Sequence, residues 1–364
     1  MKEPKIINQQ VPVLLENMYL INPQLNSIVK GIQSMARRKK LTVRMSSSFD
    51  EVTGWCRRAK LRAAIVLSYS KSDAADLARR FYERGIHPVF TNMQLEDTAY
   101  PYSCVTQNYR DACFCLVTEA AKNGAKKIAY VGNNPDSYTD QLRFREMMQA
   151  LKENSLECDV YENSGNIKDC IEAYLQRAGE YDAVICANDI IAVLLVRRVK
   201  DAERMNIMGF GGMEISERIG GFATVELDYF SVGSHAVELF ALLSKESDIG
   251  NVTMTVNSRV AHGGERKESR GKDVKKEGER IDFYDDGEVL RTTALENLLL
   301  NCDDVDRSIL RSLLRGEHYN IIEENSYISL NTIKYRIKNM IKNAGVSDKN
   351  ELLELVRSYD IDLN

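Results

Sequence analysis

Apolar and polar positions along residues 1–263 switch between two patterns. Short runs of apolar and β-branched residues are followed by longer stretches whose apolar positions lie three and four apart. The first pattern predicts buried strands and the second predicts amphipathic helices. We predict strands at residues 11–15, 63–68, 87–91, 127–132, 158–161, 182–187 and 206–210. Helices are predicted at residues 24–39, 73–84, 109–123, 141–153, 167–177, 190–199 and 230–244.

This alternation predicts an α/β fold. Strands separated by helices of ten or more residues pair in parallel, with helices on both faces of the sheet. Two such halves fit the chain, one on each side of residues 101–105. We therefore expect residues 1–263 to form two Rossmann-like lobes, each built on a parallel sheet.

Charge and glycine then replace the apolar pattern. Residues 264–286 begin with a run, 265–280, that is almost entirely charged residues and glycine. Such a run buries too little apolar surface to fold alone, so residues 264–286 are predicted to be a flexible linker. Residues 287–364 return to a helical pattern and predict a small all-α domain, with a first helix from about Val289 whose role is open.

Four further helices are predicted in this C-terminal domain. The first ends at Gly316, the second covers residues 320–325, and the third covers residues 330–343. Ser329 is the expected N-cap of the third helix, and Ser347 is the expected N-cap of the last. Such a series of short helices separated by tight turns is a pattern that can hold a helix-turn-helix.

The third of these helices has one apolar stripe and one basic face. Lysine or arginine occupies four positions between Tyr327 and Gly345, and no acidic residue occurs there. A basic face is often only a solvated surface. It also suits contact with DNA phosphates, with Asn and Thr near the helix start in reach of base edges. The candidate DNA-binding residues are Ser329, Asn331, Thr332, Lys334, Tyr335, Arg336, Lys338 and Lys342.

The spacing in this region resembles the LuxR/GerE-type helix-turn-helix over about fifty residues. The residues that carry the resemblance are Gly316, Ile322, Ile328-Ser329, Thr332-Ile333-Lys334 and Gly345-Val346-Ser347. Glu323 and Ser326-Tyr327 depart from the family, which has a small residue and Leu-Gly there. The resemblance implies that the third helix enters the major groove and that the last helix pairs two subunits. Lys334, Lys338 and Lys342 would then contact phosphates.

The N-terminal part resembles the ligand-binding domain of LacI/GalR-family regulators over about 250 residues. Its most specific carriers are residues 124–132, residues 181–189 and the Met-Gly-Phe strand at residues 207–210. The resemblance implies a ligand in a cleft between two lobes, outside the carboxyl ends of the strands. The DNA-binding headpiece of that family has no counterpart before Val11, so the C-terminal motif is expected to replace it.

The implied ligand contacts start from Arg143 and Asn188, whose counterparts in the family bind ligand hydroxyls. Arg143 could instead be a surface residue, and Asn188 and Asp189 could instead cap a helix. Gly211 and Asn108 stand where the family has aspartates. The two acid acceptors of the family are thus missing, and the effector that the resemblance implies is sugar-like or another polar metabolite. The candidate ligand-binding residues are Asn17, Tyr19, Asn108, Tyr138, Arg143, Asn188, Asp189 and Gly211.

Composition and residue spacing limit which other kinds of protein and site the chain can contain. The net charge of −4 means that DNA contact must come from a local basic patch. Eight cysteines and four histidines lack the spacing of a zinc site, so reduced thiols and no metal are expected. Residues 209–212 are glycine-rich, but they match neither the G-x-G-x-x-G motif nor the P-loop, the two common phosphate-binding loops. No enzymatic activity and no cofactor are therefore predicted. No signal or membrane segment is predicted, which favours a cytoplasmic protein.

These patterns together predict a ligand-responsive transcription regulator that binds double-stranded DNA as a homodimer. The alternative is a cytoplasmic sensor that acts through a protein partner and uses the helical tail for dimerisation.

Overall fold

The computed structural model describes residues 10–15, 23–67, 71–95, 98–135, 137–199, 205–246, 248–262, 283–361 and 363. These residues form two compact units. The first is drawn from Met1–Tyr109 and Leu227–Ser258, and the second from Arg110–Glu226 and Arg259–Asn364. The expected division at residues 101–105 was wrong, because residues 103–107 form a buried strand of the first sheet.

The first unit contains a six-stranded sheet in which every pairing is parallel. The strands are β1 (Gln10–Leu15), β2 (Thr42–Ser46), β3 (Ala63–Leu67), β4 (His87–Thr91), β5 (Ser103–Gln107) and β11 (Thr253–Val256). Their order in the sheet is β11-β5-β4-β3-β1-β2. The helices are α1 (Pro23–Arg38), α2 (Phe49–Ala59), α3 (Lys71–Tyr82) and α9 (Tyr229–Lys245). The central strand β3 is buried at every position, as its run of five apolar residues predicts.

The second unit contains another six-stranded sheet. The strands are β6 (Lys127–Asn133), β7 (Glu157–Glu162), β8 (Ala183–Cys186), β9 (Ile207–Gly211), β10 (Ala223–Glu226) and β12 (Arg259–His262). Their order is β12-β10-β9-β8-β6-β7, and the pairings are parallel except for β12, which runs antiparallel to β10. The helices are α4 (Tyr109–Lys122), α5 (Tyr138–Glu153), α6 (Ile167–Leu175), α7 (Asp189–Arg198) and α8 (Glu214–Ile219). We call this sheet with its helices the second lobe.

The C-terminal helices belong to the same unit as the second lobe. They are α10 (Gly287–Leu300), α11 (Asp304–Leu314), α12 (Tyr319–Ser326), α13 (Leu330–Ala344) and α14 (Lys349–Arg357). Acidic N-caps at Asp286, Asp303 and Asp348 fix three of these helix starts. The expected cap at Ser347 was wrong by one residue. The Ser347 hydroxyl instead donates to Glu351, 2.6 Å away.

All seven predicted strands and all seven N-terminal helices occur, with ends shifted by a few residues. The sequence missed β2, β11 and β12, which lie at sheet edges, where half of a strand is polar and no apolar run marks it. It also missed β5, β10, α2 and α8. Of these, β10 and α8 have only 4 and 6 residues, which is too few to show a periodic pattern. The predicted linker core, residues 264–280, lies outside the described residues.

Candidate DNA-binding surface and ligand site

Helix α13 separates its apolar and basic faces cleanly. Its buried residues are Ile333, Ile337, Met340 and Ala344, and they recur at helical spacing. Around this stripe, α13 packs against α10, α11, α12 and α14. The helix is therefore held on one face only, and the opposite face is left to solvent.

That solvent face carries most of the predicted DNA contacts. The exposed residues are Ser329, Asn331, Thr332, Lys334, Tyr335, Lys338 and Lys342. The three lysines follow one another at intervals of four, so they line one side of the helix. Tyr335 is 65% exposed, which is unusual for a large aromatic side chain. Such a face can place cations against phosphates and polar groups against base edges.

Arg336 faces another way, although the sequence grouped it with these residues. Its guanidinium lies 2.9 Å from carboxylate oxygens of both Asp303 and Asp306. A hydrogen bond from the Asp306 backbone, together with the bonds from Arg336, holds the pKa of Asp303 below its usual range. Arg336 therefore ties α13 to the start of α11, and its charge is neutralised within the protein.

The start of α13 is held by two side chains. The hydroxyl of Ser329 accepts a hydrogen bond from the Thr332 backbone N–H and lies 2.9 Å from the Thr332 hydroxyl, as expected for an N-cap. Glu323 accepts a hydrogen bond of 2.8 Å from the Leu330 backbone N–H. The glutamate that departs from the LuxR/GerE pattern thus satisfies a helix N-terminal donor.

The turn between α12 and α13 contains a strained residue. Tyr327 adopts a left-handed conformation with φ of 55°, and its side chain is 96% exposed. A residue with a side chain is disfavoured in this conformation, and glycine is the usual choice. The turn therefore needs a left-handed residue, and this chain has Tyr327 where the LuxR/GerE pattern has the more favourable glycine.

Asp189 is the most buried of the predicted ligand residues. It is 0% exposed, and its carboxylate accepts hydrogen bonds from the Met213 backbone, the Ser216 hydroxyl and the Thr224 hydroxyl, at 2.6–2.8 Å. Burial raises its pKa, and these hydrogen bonds oppose the rise. Its oxygens are therefore used to join α7, α8 and β10 inside the second lobe.

Asn188 and Gly211 lie beside Asp189, where β8 and β9 end. Asn188 caps α7, because its side chain accepts a hydrogen bond of 3.0 Å from the Ile191 backbone. Gly211 has a φ of 148°, and a Cβ there would lie 3.4 Å from the Asp189 carboxylate. The structure thus places both residues at the carboxyl edge of the sheet, and gives Asn188 a capping role.

Arg143 and Tyr138 lie on α5. Arg143 is 5% exposed and forms an ion pair with Asp140 on the same helix. Its guanidinium carbon also lies 5.4 Å from the centre of the Phe210 ring. The surface location weighed as an alternative for Arg143 was wrong. Tyr138, the first residue of α5, is half-buried.

The remaining predicted ligand residues lie in the first unit. Asn108 follows β5, and its side-chain amide donates to Asn257, 3.2 Å away. Asn17 and Tyr19 fall outside the described residues. The ligand roles of all eight residues stay predictions.

Two buried amides at the carboxyl edge of the second sheet add to this set. Asn133 ends β6 and Asn163 follows β7, and the Asn163 backbone donates to the Asn133 carbonyl at 2.8 Å. Both side chains are buried, yet neither Oδ1 atom accepts a hydrogen bond from the residues that the structure describes. Buried acceptors of this kind usually have a partner. The location of Asn163 after a strand was a signal that sequence reasoning did not use.

A separate cavity of about 240 Å³ lies in the first unit. It is lined by residues at the amino ends of β3 and β4, among them Arg62 and His87, and by Leu243 and Glu246. Burial lowers the pKa of His87, whose Nε2 atom lies 2.9 Å from the Ser103 hydroxyl. This is the edge of the sheet opposite to the one where ligands bind in such folds, so we do not assign the effector to it.

Metal-ligating side chains are scattered through the ranges that the structure describes. No three His, Cys, Asp or Glu side chains in these ranges come close enough together to hold a metal ion. Six of the eight cysteines are buried and all are unpaired, and burial raises the pKa of Cys56 to about 12. No helix in the described ranges has the length and apolar character needed to cross a bilayer.

Comparison with known proteins identifies the fold. A family model described as a periplasmic binding protein-like domain matches residues 117–260. The fold is periplasmic-binding-protein-like. It is two α/β lobes with parallel sheets plus an all-helical C-terminal region, and the lobes match those of LacI-type regulators. No curated protein is similar enough in sequence to count as a match.

Three solved structures illustrate this likeness. The transcription regulator CcpA of Lactococcus lactis has 18% identity and a TM-score of 0.57, covering 71% of this chain and 100% of that one. A complex of the regulator CelR with cellobiose has 16% identity and a TM-score of 0.57, covering 70% and 84%. A lac repressor dimer bound to operator and the anti-inducer ONPF has 17% identity and a TM-score of 0.55, covering 70% and 92%. At these identities the likeness establishes the fold alone.

Proposed function

We propose that the protein is a ligand-responsive transcription regulator that binds DNA through a LuxR/GerE-type helix-turn-helix at its C-terminus. Helix α13 enters the major groove, and Lys334, Lys338 and Lys342 contact phosphates. Asn331, Thr332 and Tyr335 face the base edges. The protein acts in the cytoplasm as a homodimer that pairs two such helices on a palindromic site.

One observation carries this proposal. The apolar face of α13 is buried, while its lysines are exposed and no acidic side chain occurs on the helix. Arg336 is already ion-paired, whereas the three lysines form no ion pair with the residues that the structure describes, so the uncompensated positive charge lies on them. A fixed helix with an uncompensated basic face is the arrangement that helix-turn-helix proteins present to the major groove.

The first experiment compares the full chain with Lys334→Glu on genomic DNA fragments over a range of salt concentrations. The wild type is expected to enrich a palindromic site. Lys334→Glu is expected to weaken binding to all sequences by about tenfold or more and to reduce the salt slope by about one, because one phosphate contact is lost. Lys122→Glu, at an exposed lysine of α4, is the matched control and should bind like the wild type.

Equal binding by Lys334→Glu and the wild type at moderate salt would refute the assigned face. Absence of DNA binding by the wild type, together with dimerisation through the C-terminal helices, would instead support a sensor that acts through a protein partner.

The effector is proposed to be a sugar-like or other polar metabolite held at the carboxyl ends of the strands. The relative CelR was solved with cellobiose, which makes mono- and disaccharides a reasonable first panel. The buried carbonyl oxygens of Asn133 and Asn163 would accept hydrogen bonds from ligand hydroxyls. Arg143 and Tyr138 of the same unit would supply further contacts, of which the Arg143 guanidinium offers a rigid set of donors.

Asn163→Ala tests this site with little disturbance of the fold. A sugar that raises the melting temperature of the wild type should lose that effect in Asn163→Ala and keep it in Asn350→Ala, an exposed residue of α14. A full shift in Asn163→Ala would show that the contact is misassigned. Arg143→Ala is a poorer test, because it leaves Asp140 buried without its partner, at a cost on the order of 3–5 kcal/mol.

A further inference from the structure

Helix α10 is buried on both sides. Eight of its residues are buried: Val289, Thr292, Thr293, Leu295, Glu296, Asn297, Leu298 and Leu299. One side packs against α7 and α8 of the second lobe, and the other packs against α13 and α14. A helix that buries most of its residues against neighbours on two sides belongs to the core of a domain, although Leu290 and Arg291 stay exposed here. The second lobe and the C-terminal helices therefore share one core through α10.

Glu296 makes the most specific contact between α10 and the second lobe. It is 2% exposed, and its two carboxyl oxygens accept hydrogen bonds from the backbone N–H groups of Glu214, at 3.1 Å, and Ile215, at 2.8 Å. These are the first two residues of α8. Burying an ionisable group costs free energy of folding unless protein groups supply its hydrogen bonds. The two N–H groups supply them only when α10 lies at this position on α8. Glu296 thus fixes where α10 meets α8.

The same turn of α8 is held from inside the lobe by Asp189. One oxygen of Asp189 accepts hydrogen bonds of 2.8 Å from the Met213 backbone and from the Ser216 hydroxyl. Residues 213–216 therefore lie between two buried acidic side chains. One comes from the carboxyl edge of the second sheet and the other from α10.

Further contacts join the end of the chain to the same surface. The Arg197 guanidinium donates to the Ser358 carbonyl at 3.2 Å and lies 4.1 Å from the centre of the Tyr359 ring. The Tyr359 hydroxyl lies 2.8 Å from the hydroxyl of Thr292 on α10. Arg198 of α7 also forms an ion pair with Glu288. The C-terminal helices are therefore docked on the second lobe at several points.

This docking does not cover the basic face of α13. Helix α10 packs on α13, whose apolar side is buried, and Lys334, Lys338 and Lys342 stay exposed. Docking of this kind sets the orientation of α13 and does not block it.

We propose that α8 and Glu296 couple the second lobe to the DNA-binding helices, so that a shift at the carboxyl edge of the sheet moves α10 and α13 as one body. This inference rests on the proposed function, and it describes how the ligand site of the second lobe would regulate the DNA-binding face of α13. A change in the lobe would then reach α13 through packed helices, with no need for the charged linker. In a dimer, it would alter the spacing of the two α13 helices.

The test measures hydrogen exchange of the full chain without DNA or ligand. Glu296→Ala should raise exchange at residues 213–216 by about tenfold or more, because two buried N–H groups lose their acceptor. Exchange in α10 and α13 should rise as well, and Glu296→Gln should give a smaller effect because its amide keeps one acceptor oxygen. Glu217→Ala, at an exposed residue of α8, is the matched control and should change none of these regions.

Ser216→Ala perturbs the same turn from the lobe side and does not depend on the stability of Glu296 variants. Coupling must be reciprocal, so this change should raise exchange in α10 and α13. Increases confined to residues 213–216 in both Glu296→Gln and Ser216→Ala would overturn the proposal. Because exchange is measured without DNA, failure of the wild type to bind DNA would count against the proposed function separately.

Discussion

Replacement of Gly233 by alanine is expected to destabilise the first unit, because α9 crosses α1 at this residue without space for a methyl group. A Cβ at Gly233 would lie 1.9 Å from the carbonyl oxygen of Ile28, whereas ordinary contact begins at 3.4 Å. On the facing helix, a Cβ at Gly31 would lie 2.0 Å from the Phe230 carbonyl oxygen. Both obstacles are backbone atoms of a helix, so no side-chain rotation can relieve either clash.

The size of the effect follows from two opposing contributions. Alanine favours a helix over glycine by about 1 kcal/mol. Separating two packed helices to admit a methyl group costs about 1–3 kcal/mol in a typical overpacked core, and more where the obstacle is backbone. We expect a net loss of roughly 2 kcal/mol or more, which corresponds to a fall of about 4 °C or more in melting temperature.

Gly54→Ala is the matched control. Gly54 also lies within a helix, but a Cβ there would meet nothing closer than the flexible end of Arg58 at 3.4 Å. This variant should gain about 0.5–1 kcal/mol from helix propensity alone. Thermal unfolding of both variants, followed by circular dichroism, gives the comparison. A Gly233→Ala protein as stable as Gly54→Ala would refute the close helix crossing.

Three further predictions concern the second unit. Arg336→Ala should lower its free energy of unfolding by roughly 1–2 kcal/mol, since α13 loses its tie to α11, while the salt slope of DNA binding stays that of the wild type; a reduced slope would return Arg336 to the phosphate contacts. Burial raises the pKa of Glu296 to about 8, so its stabilising contribution is full below its unfolded pKa and is lost as pH rises through the folded value. The stability difference between the wild type and Glu296→Gln in urea unfolding should therefore shrink from about pH 5 to about pH 8.5, and a difference that grows with pH would contradict this. Tyr327→Gly should stabilise the unit by roughly 0.5–1 kcal/mol, because glycine adopts the left-handed turn without strain; a loss of stability would show that the exposed ring makes a contact that matters.

The sequence by itself determined the α/β class and most of the elements in their order. Burial on both faces requires nearly continuous apolar runs, so β3, β6 and β8 were visible as such. Amphipathic periodicity located α1 and α13, because a helix with one buried face has apolar residues three and four positions apart. The N-cap at Ser329 was also readable, because capping depends on residues only three positions apart. Local chemistry of this kind is written into neighbouring positions of the chain.

Only the tertiary structure decided which groups meet across long separations. The ligand roles of Asp189 and Arg143 stay predictions, and only the fold shows the protein partners that each has on other elements or buried beside it. Arg336 belongs to the same basic helix as the three lysines, yet Asp303 and Asp306 at the start of α11 neutralise its charge. The helix from about Val289 had no readable role, because its apolar and polar positions face two different neighbours at once. The contact between Glu296 and α8 joins residues more than eighty positions apart, and no periodicity in a sequence records such a pair.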